Sequence, residues 1–207
     1  MRSEPIDVRD RSPYSVEQLR VKPGYRDDLD RVLISNGEIE SRIDRLSEEV
    51  TAAFADVEEG PVSALCVLNG AMPFFTSLVS RLELLVALNQ GTISASRYAE
   101  GGPTGEEATI EWIDEELIAG RDVLVVEDIV DQGYTLRSIR SQLEDLGAET
   151  VRVAVLFDKR ARRATSVELD FVGFVIPDAF VVGYGLDYAE GYRDLPHLAV
   201  LDAADVA

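Results

Sequence analysis

The sequence predicts an α/β fold, in which a parallel β-sheet is flanked by helices on both faces. Three nearly uniform apolar runs, at positions 62–68, 123–126 and 151–157, are the first observation. Such runs are typical of strands that are buried on both faces of a parallel sheet. The second observation is that the first two runs each lead through a short turn into a predicted helix, as α/β folds require. With 207 residues, the chain is long enough for one domain with a sizeable core.

The N-terminal part has a different character from the rest of the chain. Residues 1–31 are charged, mixed in sign and poor in apolar periodicity, which predicts an extension that is partly disordered and lies outside the main sheet. Residues 32–207 are the predicted principal domain. It opens with a short strand at 32–34, and Ser35 with Glu38 then forms a capping box that starts a helix. The apolar face of that helix consists of Ile39, Ile43, Leu46, Val50 and Phe54.

The run at 62–68 ends in a turn, Asn69-Gly70-Ala71, and Pro73 occupies a first-turn position of the following helix. Backbone N–H groups are free at a helix N-terminus, so this turn is a candidate anion site. From the residues alone, a plain connection between strand and helix is the favoured interpretation.

A Gly-rich polar stretch from 97 to 105 lacks periodicity and predicts a mobile loop. Strands predicted at 92–96 and 109–113 lead into this loop and return from it. Loops of this length in compact domains are often lids over a site. Later strands are predicted at 171–176, 180–184 and 198–201.

The segment from 121 to 135 is the most informative part of the chain. The apolar run at 123–126 is followed by two adjacent carboxylates, Glu127 and Asp128, where the strand is expected to end. Residues 131–135 form a small turn that opens a helix, whose predicted stop signal is Gly147. The apolar face of that helix consists of Leu136, Ile139, Leu143 and Leu146.

This arrangement suits a sugar phosphate. Ligands of open α/β sheets bind outside the carboxyl ends of strands, and a turn at a helix N-terminus offers N–H groups and a positive dipole end to a phosphate. Gly133 lets the backbone approach an anion, and Thr135 can add a hydroxyl donor. Glu127 and Asp128 would repel phosphate, but they can accept hydrogen bonds from a diol or bind a hard cation.

Two other nucleotide or metal motifs are excluded for this segment. No Gly-x-x-x-x-Gly-Lys-Ser/Thr sequence occurs in the chain, so it is not the partner motif of a P-loop enzyme. A calcium loop is excluded because Val130 stands where an oxygen ligand is required. An ordinary strand–turn–helix unit with solvated acids at its rim remains the alternative.

The amino-acid composition limits the binding partners and the cellular location that are expected for this chain. Asp and Glu outnumber Lys and Arg by 39 to 20, and a net charge of -19 disfavours nucleic acids and anionic membranes as partners. Cys66, the only cysteine, is expected to be a buried, inert thiol, and with a single histidine, His197, the chain has no tetrahedral zinc set. No stretch is apolar enough to span a membrane and no signal peptide is evident, so a soluble cytoplasmic protein is expected.

Two segments resemble a known family. The stretch Val-Leu-Val-Val-Glu-Asp-Ile-Val-Asp-Gln-Gly-Tyr-Thr, at 123–135, resembles the phosphoribosyl-pyrophosphate loop of type I phosphoribosyltransferases. The stretch Phe-Val-Gly-Phe-Val-Ile-Pro-Asp-Ala-Phe-Val-Val-Gly-Tyr-Gly-Leu-Asp-Tyr, at 171–188, is similar to the purine-binding segment of the hypoxanthine-guanine branch. The resemblance covers positions 32–201 and implies a small hood built from N- and C-terminal segments.

The resemblance also implies an activity. A member of this branch transfers the phosphoribosyl group from phosphoribosyl pyrophosphate to hypoxanthine or guanine, giving IMP or GMP plus pyrophosphate, with Mg²⁺ as cofactor. Such an enzyme of purine salvage is expected to be a homodimer or homotetramer. A non-catalytic phosphoribosyl-binding regulator and a xanthine-preferring transferase remain alternatives. Leu186 disfavours xanthine, because its apolar side chain offers no donor to a 2-oxo group.

The resemblance assigns roles to the central segment. Asp131 is the implied general base, and Lys159 the implied donor to the purine 6-oxo group; these two are the candidate catalytic residues. Glu127 and Asp128 are implied to bind ribose hydroxyls. The implied 5′-phosphate ligands are Gln132, Gly133, Tyr134 and Thr135.

Further roles lie outside that segment. Phe180 is implied to stack on the purine, Val181 to pair with it through its backbone, and Asp187 to contact both purine and metal. The implied metal set is therefore Glu127, Asp128 and Asp187. The implied pyrophosphate ligands are Asn69 and Gly70, in a loop with an unusual cis peptide, together with the distant Arg193. The implied lid residues are Arg97 and Tyr98.

Several positions depart from the family pattern. Asn69 replaces a basic residue and Arg97 a serine, whereas Gln132 and Tyr134 replace a small hydroxyl residue and a lysine. These changes put affinity in doubt more than reaction type. An arginine cluster, composed of Arg160, Arg162 and Arg163, is interpreted as a solvated or subunit-contact turn.

Overall fold

The computed structural model describes residues 3–96 and 108–202. Its strands are β1 (Ile6–Asp7), β2 (Leu29–Ile34), β3 (Val62–Leu68), β4 (Leu88–Ser96), β5 (Thr109–Ile113), β6 (Asp122–Val130), β7 (Thr150–Asp158), β8 (Phe171–Val175), β9 (Val181–Val182) and β10 (Leu198–Leu201). Its α-helices are α1 (Asn36–Ala53), α2 (Met72–Val79) and α3 (Tyr134–Asp145). Within these ranges, no helix has both the length and the apolarity that a membrane crossing requires.

The strands form two sheets. The main sheet has the order β1-β8-β7-β6-β3-β4-β5, and its neighbours run parallel except for β5, which returns antiparallel to β4. A second, antiparallel sheet has the order β2-β10-β9 and joins an N-terminal strand to C-terminal ones. The predicted α/β fold with a parallel sheet is thus confirmed, and the second sheet is the predicted hood.

The central strands divide their side chains between two cores. On β6, Leu124 and Val126 face one core together with α1 and α2, whereas Val123 and Val125 face the other with α3. All four residues are fully buried. Because successive side chains of a strand point to opposite faces, a strand covered by helices on both sides must be apolar throughout.

Helix α1 begins as the sequence predicts. Ser35 accepts a hydrogen bond from the Glu38 amide, and the Glu38 carboxylate accepts one from the Ser35 amide, which completes the capping box. The helix also carries a buried arginine, Arg42, which pairs with Glu49 at 2.8 Å and donates to the Gly173 carbonyl at 3.1 Å. These contacts fasten α1 to strand β8.

Two expectations about the strands are wrong. Residues 1–31 were expected outside the main sheet, but Ile6 pairs with Phe174 and β1 forms an edge of that sheet. Strand β6 does not end at the two acids; it continues to Val130, because β7 supplies hydrogen-bonding partners as far as Asp158. The division of the chain at residue 31 into an extension and a domain stays a prediction.

His197 lies where the hood meets α1. It precedes β10, is buried, and its Nδ1 accepts a hydrogen bond from the Asn36 amide at 2.9 Å. Nδ1 must be unprotonated to accept this bond, and burial lowers the pKa of His197 below its usual value. This contact gives His197 a structural role at the junction of the hood and α1.

His197 should therefore make folding sensitive to acid. The unfolded chain takes up a proton at His197 near pH ~6.5, whereas the folded chain resists it, so stability falls as pH drops below that value, by at most ~1.4 kcal/mol per pH unit. His197→Asn keeps an acceptor for the Asn36 amide but cannot titrate. When denaturant unfolding is measured above and below pH ~6.5, the free energy of unfolding should fall less on acidification in the variant than in the wild type. Equal losses in both proteins would contradict this role.

Candidate active site

A cavity of about 920 Å³ opens at the carboxyl ends of β3 and β6, the edge where ligands of α/β sheets bind. Ten of the predicted site residues line it: Asn69, Gly70, Glu127, Asp128, Asp131, Gln132, Gly133, Thr135, Asp187 and Arg193. Residues far apart in the sequence thus come together in one cavity.

Some predicted site residues do not line this cavity. Tyr134 is the first residue of α3, and its ring lies 5.3 Å from the Arg137 guanidinium carbon. Phe180 is partly exposed and meets the Tyr188 ring edge-on at 5.4 Å, and the next residue, Val181, is buried in β9. The predicted lid residues, Arg97 and Tyr98, lie outside the described residues.

Residues 131–135, called here the phosphate turn, precede and open α3. Gly133 adopts a left-handed conformation, with φ of +93°, which lets the chain turn sharply into the helix. The turn is held from outside, because the Gln132 carbonyl accepts hydrogen bonds from the Ala164 and Thr165 amides at 3.1 and 3.2 Å. The N-terminal end of α3, with its positive dipole end, can therefore face an anion in the cavity.

Glu127 and Asp128 are both buried, and their like charges repel each other. Burial raises the pKa of Glu127 well above its usual value, and the neighbouring Asp128 charge raises it further. Burial likewise raises the pKa of Asp128, although its Oδ1 accepts a hydrogen bond from the Ile129 amide at 2.6 Å. A cation or hydroxyl donors would stabilise this pair, because buried carboxylates need such partners.

Residues 68–71, the predicted pyrophosphate loop, contain a cis peptide between Leu68 and Asn69. A Cβ at Gly70 would lie 1.6 Å from Asp128 Oδ2, so a larger residue would displace that carboxylate. A Cβ at Gly185 would lie 1.9 Å from the Gly70 carbonyl oxygen. The loop is therefore held between a buried acid on one side and the Gly185 backbone on the other.

Arg193 holds the end of the predicted purine-binding segment. Its guanidinium donates to the Gly185 carbonyl at 2.9 Å and lies 2.9 Å from Asp187 Oδ1. The Glu190 amide also donates to Asp187, at 3.2 Å. The predicted metal set does not converge into one centre: in the described part of the chain, no group of three His, Cys, Asp or Glu side chains could hold a metal ion. A cation there would need most of its oxygen ligands from substrate and water.

The loop that carries Asp187 and Arg193 rests on the N-terminal segment. The Tyr25 ring packs on Tyr192 with centroids 4.7 Å apart, and the Tyr25 hydroxyl donates to Asp194 at 2.7 Å. The Tyr192 hydroxyl in turn donates to Asp28 at 2.7 Å. Three non-glycine residues of the loop have positive φ, and such backbone needs support from its surroundings. They are Ala189, Glu190 and Tyr192.

Lys159 and Asp131, the predicted catalytic pair, lie near each other at the ends of β7 and β6. Lys159 is buried at the first residue after β7, and its amide donates to the Val130 carbonyl at 3.0 Å. Burial lowers the pKa of Lys159, while the Asp131 and Asp178 carboxylates act in the opposite direction. A lysine and a carboxylate thus lie close enough to interact electrostatically, although only Asp131 lines the cavity and the predicted purine ligand Lys159 does not.

Arg162 was missed. It was interpreted as part of a solvated or subunit-contact turn, but it lines the cavity, and its Nε lies 3.1 Å from Asp131 Oδ1. Arg163 also points toward the protein and not toward solvent. It pairs with Asp158 at 2.6 Å and donates a hydrogen bond to the Asp131 carbonyl. A signal was present: β6 and β7 were both predicted as strands of one parallel sheet, so the turns after them emerge at the same edge.

Comparison with known proteins agrees with this geometry. The family model "Phosphoribosyl transferase domain" matches residues 33–189. The chain is 38% identical to hypoxanthine-guanine phosphoribosyltransferase of Bacillus subtilis, over 86% of this chain and 96% of that protein. It is 36% identical to hypoxanthine-guanine phosphoribosyltransferase of Homo sapiens, over 97% and 94%. A crystal structure of a hypoxanthine phosphoribosyltransferase from Staphylococcus aureus superposes with a TM-score of 0.82 at 31% identity, covering 91% of this chain and 100% of that one.

The contact between Gly185 and the pyrophosphate loop predicts a cost for adding one methyl group. Gly185→Ala would meet the Gly70 carbonyl and would need a left-handed backbone, with φ of +99°. We expect a loss of about 2–5 kcal/mol in the free energy of unfolding. Gly37→Ala is the matched control, because no atom lies within 4 Å of its Cβ and alanine favours the α1 helix. Equal stability of the two variants in denaturant unfolding would contradict the close approach.

Proposed function

Since the chain belongs to the phosphoribosyltransferase family, we propose that its site performs the reaction of purine salvage. The family predicted from the two segments is confirmed by the matched domain and by the relatives. The enzyme is a hypoxanthine-guanine phosphoribosyltransferase, which transfers a phosphoribosyl group to hypoxanthine or guanine and gives IMP or GMP. For the site itself, the main support is that the phosphate turn and two buried carboxylates line the same cavity.

The reaction exchanges one bond for another at the anomeric carbon of the ribose. A purine ring nitrogen forms a bond to that carbon, the bond from carbon to pyrophosphate oxygen breaks, and the purine loses a proton. The phosphate turn holds the 5′-phosphate, and Glu127 and Asp128 accept hydrogen bonds from the ribose hydroxyls. Holding both ends of the sugar fixes the reacting carbon opposite the purine, so much of the rate comes from positioning.

The pyrophosphate loop and Arg193 face the leaving group. Loop amides at Asn69 and Gly70 can donate to pyrophosphate oxygens, and the Arg193 guanidinium adds positive charge across the cavity. Mg²⁺ is the proposed cofactor, and when bound it offsets the negative charge that develops on pyrophosphate. Its preference for hard oxygens fits the carboxylates of the cavity, but Glu127, Asp128 and Asp187 do not converge into one centre, so substrate oxygens and water would supply most of its ligands.

Asp131 and Lys159 act on the purine. Asp131 accepts the ring proton as the new bond forms, and Lys159 donates to the 6-oxo group. Their proximity favours a catalyst over a regulator that only binds the sugar phosphate. Phe180 and Val181 provide the stacking surface and backbone contacts, and the segment with Arg97 and Tyr98 is the proposed lid. A homodimer or homotetramer in the cytoplasm is the proposed setting.

A product assay tests the proposal directly. Phosphoribosyl pyrophosphate is supplied with hypoxanthine, guanine, xanthine or adenine, and nucleotide and pyrophosphate are measured. We expect turnover with the first two bases, and negligible turnover when a chelator removes divalent cations, because the acidic site repels the polyphosphate. Strong activity in excess chelator would contradict the metal requirement. Absence of product with every base would contradict the proposed transferase activity.

Asp131→Asn separates the catalyst from a binder. The change is nearly isosteric and removes the base, so turnover should fall by about 10²–10⁴-fold while affinity for phosphoribosyl pyrophosphate holds or improves slightly. Asp178→Asn is the control, since Asp178 also faces Arg162 but does not line the cavity. Steady-state rates and calorimetric binding provide both measurements. A loss of binding in step with turnover would show that Asp131 is structural.

Lys159→Ala should weaken the binding of hypoxanthine by about 1.5–3 kcal/mol, the range for a charge-assisted hydrogen bond. The adjacent Arg160→Ala is the control, because Arg160 is half-exposed and pairs with Asp158 outside the cavity. The Michaelis constant for hypoxanthine reports the effect. If the Michaelis constant and the turnover rate of Lys159→Ala both match those of Arg160→Ala, Lys159 does not contact the purine.

A further inference from the structure

We propose that Arg162 is a ligand for the 5′-phosphate of substrate and product, and that it pairs with Asp131 only while that phosphate is absent. This role rests on the proposed function, because it concerns a sugar 5′-phosphate bound in the phosphate turn. It adds a phosphate-binding residue from outside the turn, and it links occupation of the phosphate site to release of the general base.

The backbone places Arg162 beside the phosphate turn. Arg162 ends a single 3₁₀ turn, Arg160–Arg162, that follows β7. Immediately after it, the Ala164 and Thr165 amides donate to the Gln132 carbonyl, and the Arg163 Nε donates to the Asp131 carbonyl at 3.2 Å. Arg162 is therefore held against residues 131 and 132 by three hydrogen bonds of its neighbours. Its side chain lines the same cavity as Gly133 and Thr135.

The charges of the site create a need for this cation. The phosphate turn contributes an acid, Asp131, and no basic side chain, and two more buried acids, Glu127 and Asp128 of β6, line the same cavity. Other arginines near the cavity are already engaged: Arg163 holds Asp158 at 2.6 Å and Arg193 holds Asp187 at 2.9 Å. A guanidinium suits a phosphate because its N–H groups match two phosphate oxygens.

The contact between Arg162 and Asp131 is easily exchanged. The two charges are 3.1 Å apart, yet Asp131 Oδ1 accepts no hydrogen bond from any described residue, so the pair lacks hydrogen-bond alignment. The Arg162 side chain is 45% exposed, and ion pairs at such positions contribute little. Its second acidic neighbour, Asp178, is 3.8 Å away. An aligned bond to a phosphate dianion would be the stronger interaction, and moving Arg162 to it would leave Asp131 free for the purine.

Binding of IMP and of inosine separates the phosphate from the rest of the ligand. Calorimetry or competition is carried out with wild type, Arg162→Ala and, as a matched control, Arg160→Ala. Arg160 belongs to the same turn and is 51% exposed, but it pairs with Asp158 and does not line the cavity. Loss of a charge-assisted contact should weaken IMP binding to Arg162→Ala by about 10- to 100-fold and leave inosine binding unchanged or slightly stronger. Arg160→Ala should bind both ligands within about twofold of wild type.

Two results would overturn the proposal. If Arg162→Ala loses the same affinity for IMP and for inosine, Arg162 contacts the purine or acts only through Asp131. If it loses no affinity for IMP, Arg162 is a surface residue without a role in binding. Failure of the proposed function would be seen separately, because the wild-type protein would then form no nucleotide in the product assay. Retained secondary structure and melting temperature in Arg162→Ala exclude misfolding as the cause of a loss, and Arg162→Lys should recover part of the IMP affinity.

A double-mutant cycle tests whether Arg162 exchanges Asp131 for the phosphate. In Asp131→Asn, Arg162 loses its competing partner, so IMP affinity should rise several-fold above wild type. In the double variant Asp131→Asn with Arg162→Ala, that gain should disappear. The cycle is read from binding alone and does not depend on turnover. A gain that persists without Arg162 would show that Asp131 merely repels the phosphate, and the exchange would be refuted.

Discussion

The burial of two adjacent carboxylates at one sheet edge constrains most of the structure around them. Glu127 and Asp128 are buried within β6, close to its carboxyl end, and in the described part of the chain no basic side chain forms a salt bridge with either of them. Buried charge of one sign is costly unless partners arrive. The surroundings are consequently shaped for partners that come with the ligand: a loop that must be glycine beside Asp128, helix N–H groups for a phosphate, and Arg193 across the cavity.

The site divides into two halves that are stabilised in different ways. One half, which holds Gly70, the two buried acids and the phosphate turn, is set by β3, β6 and α3, whose positions follow from a parallel sheet packed between two cores. The other half, which holds Asp187 and Arg193, is set by a loop with left-handed residues, and its support comes from Tyr25 and Asp28 of the N-terminal segment. Gly185 joins the halves, because it packs directly on the Gly70 carbonyl. A change in either half is therefore transmitted through backbone contact.

Local patterns were sufficient for much of this structure. Strand β3 and the α1 cap were predicted to the residue because apolar runs and capping boxes act over a few positions. Strand β1 could not be predicted, since two residues form a strand only by pairing with Phe174 and its neighbour. The role of Arg162 was hidden for the same reason: its nearness to Asp131 comes from the pairing of β6 with β7. What the sequence missed depends on contacts between distant parts of the chain.

The closure of the chain upon itself has a consequence during synthesis. Strand β1 pairs with β8, and β2 pairs with β10, so segments that are synthesised early pair with segments that are synthesised more than a hundred residues later. Domains generally fold as units, and contacts between distant residues form slowly. The central strands and α3 can assemble early, but the hood and the Arg193 loop must wait for the C-terminal residues. The cavity wall that contains Arg193 therefore stays incomplete until the hood strands β2, β9 and β10 have paired.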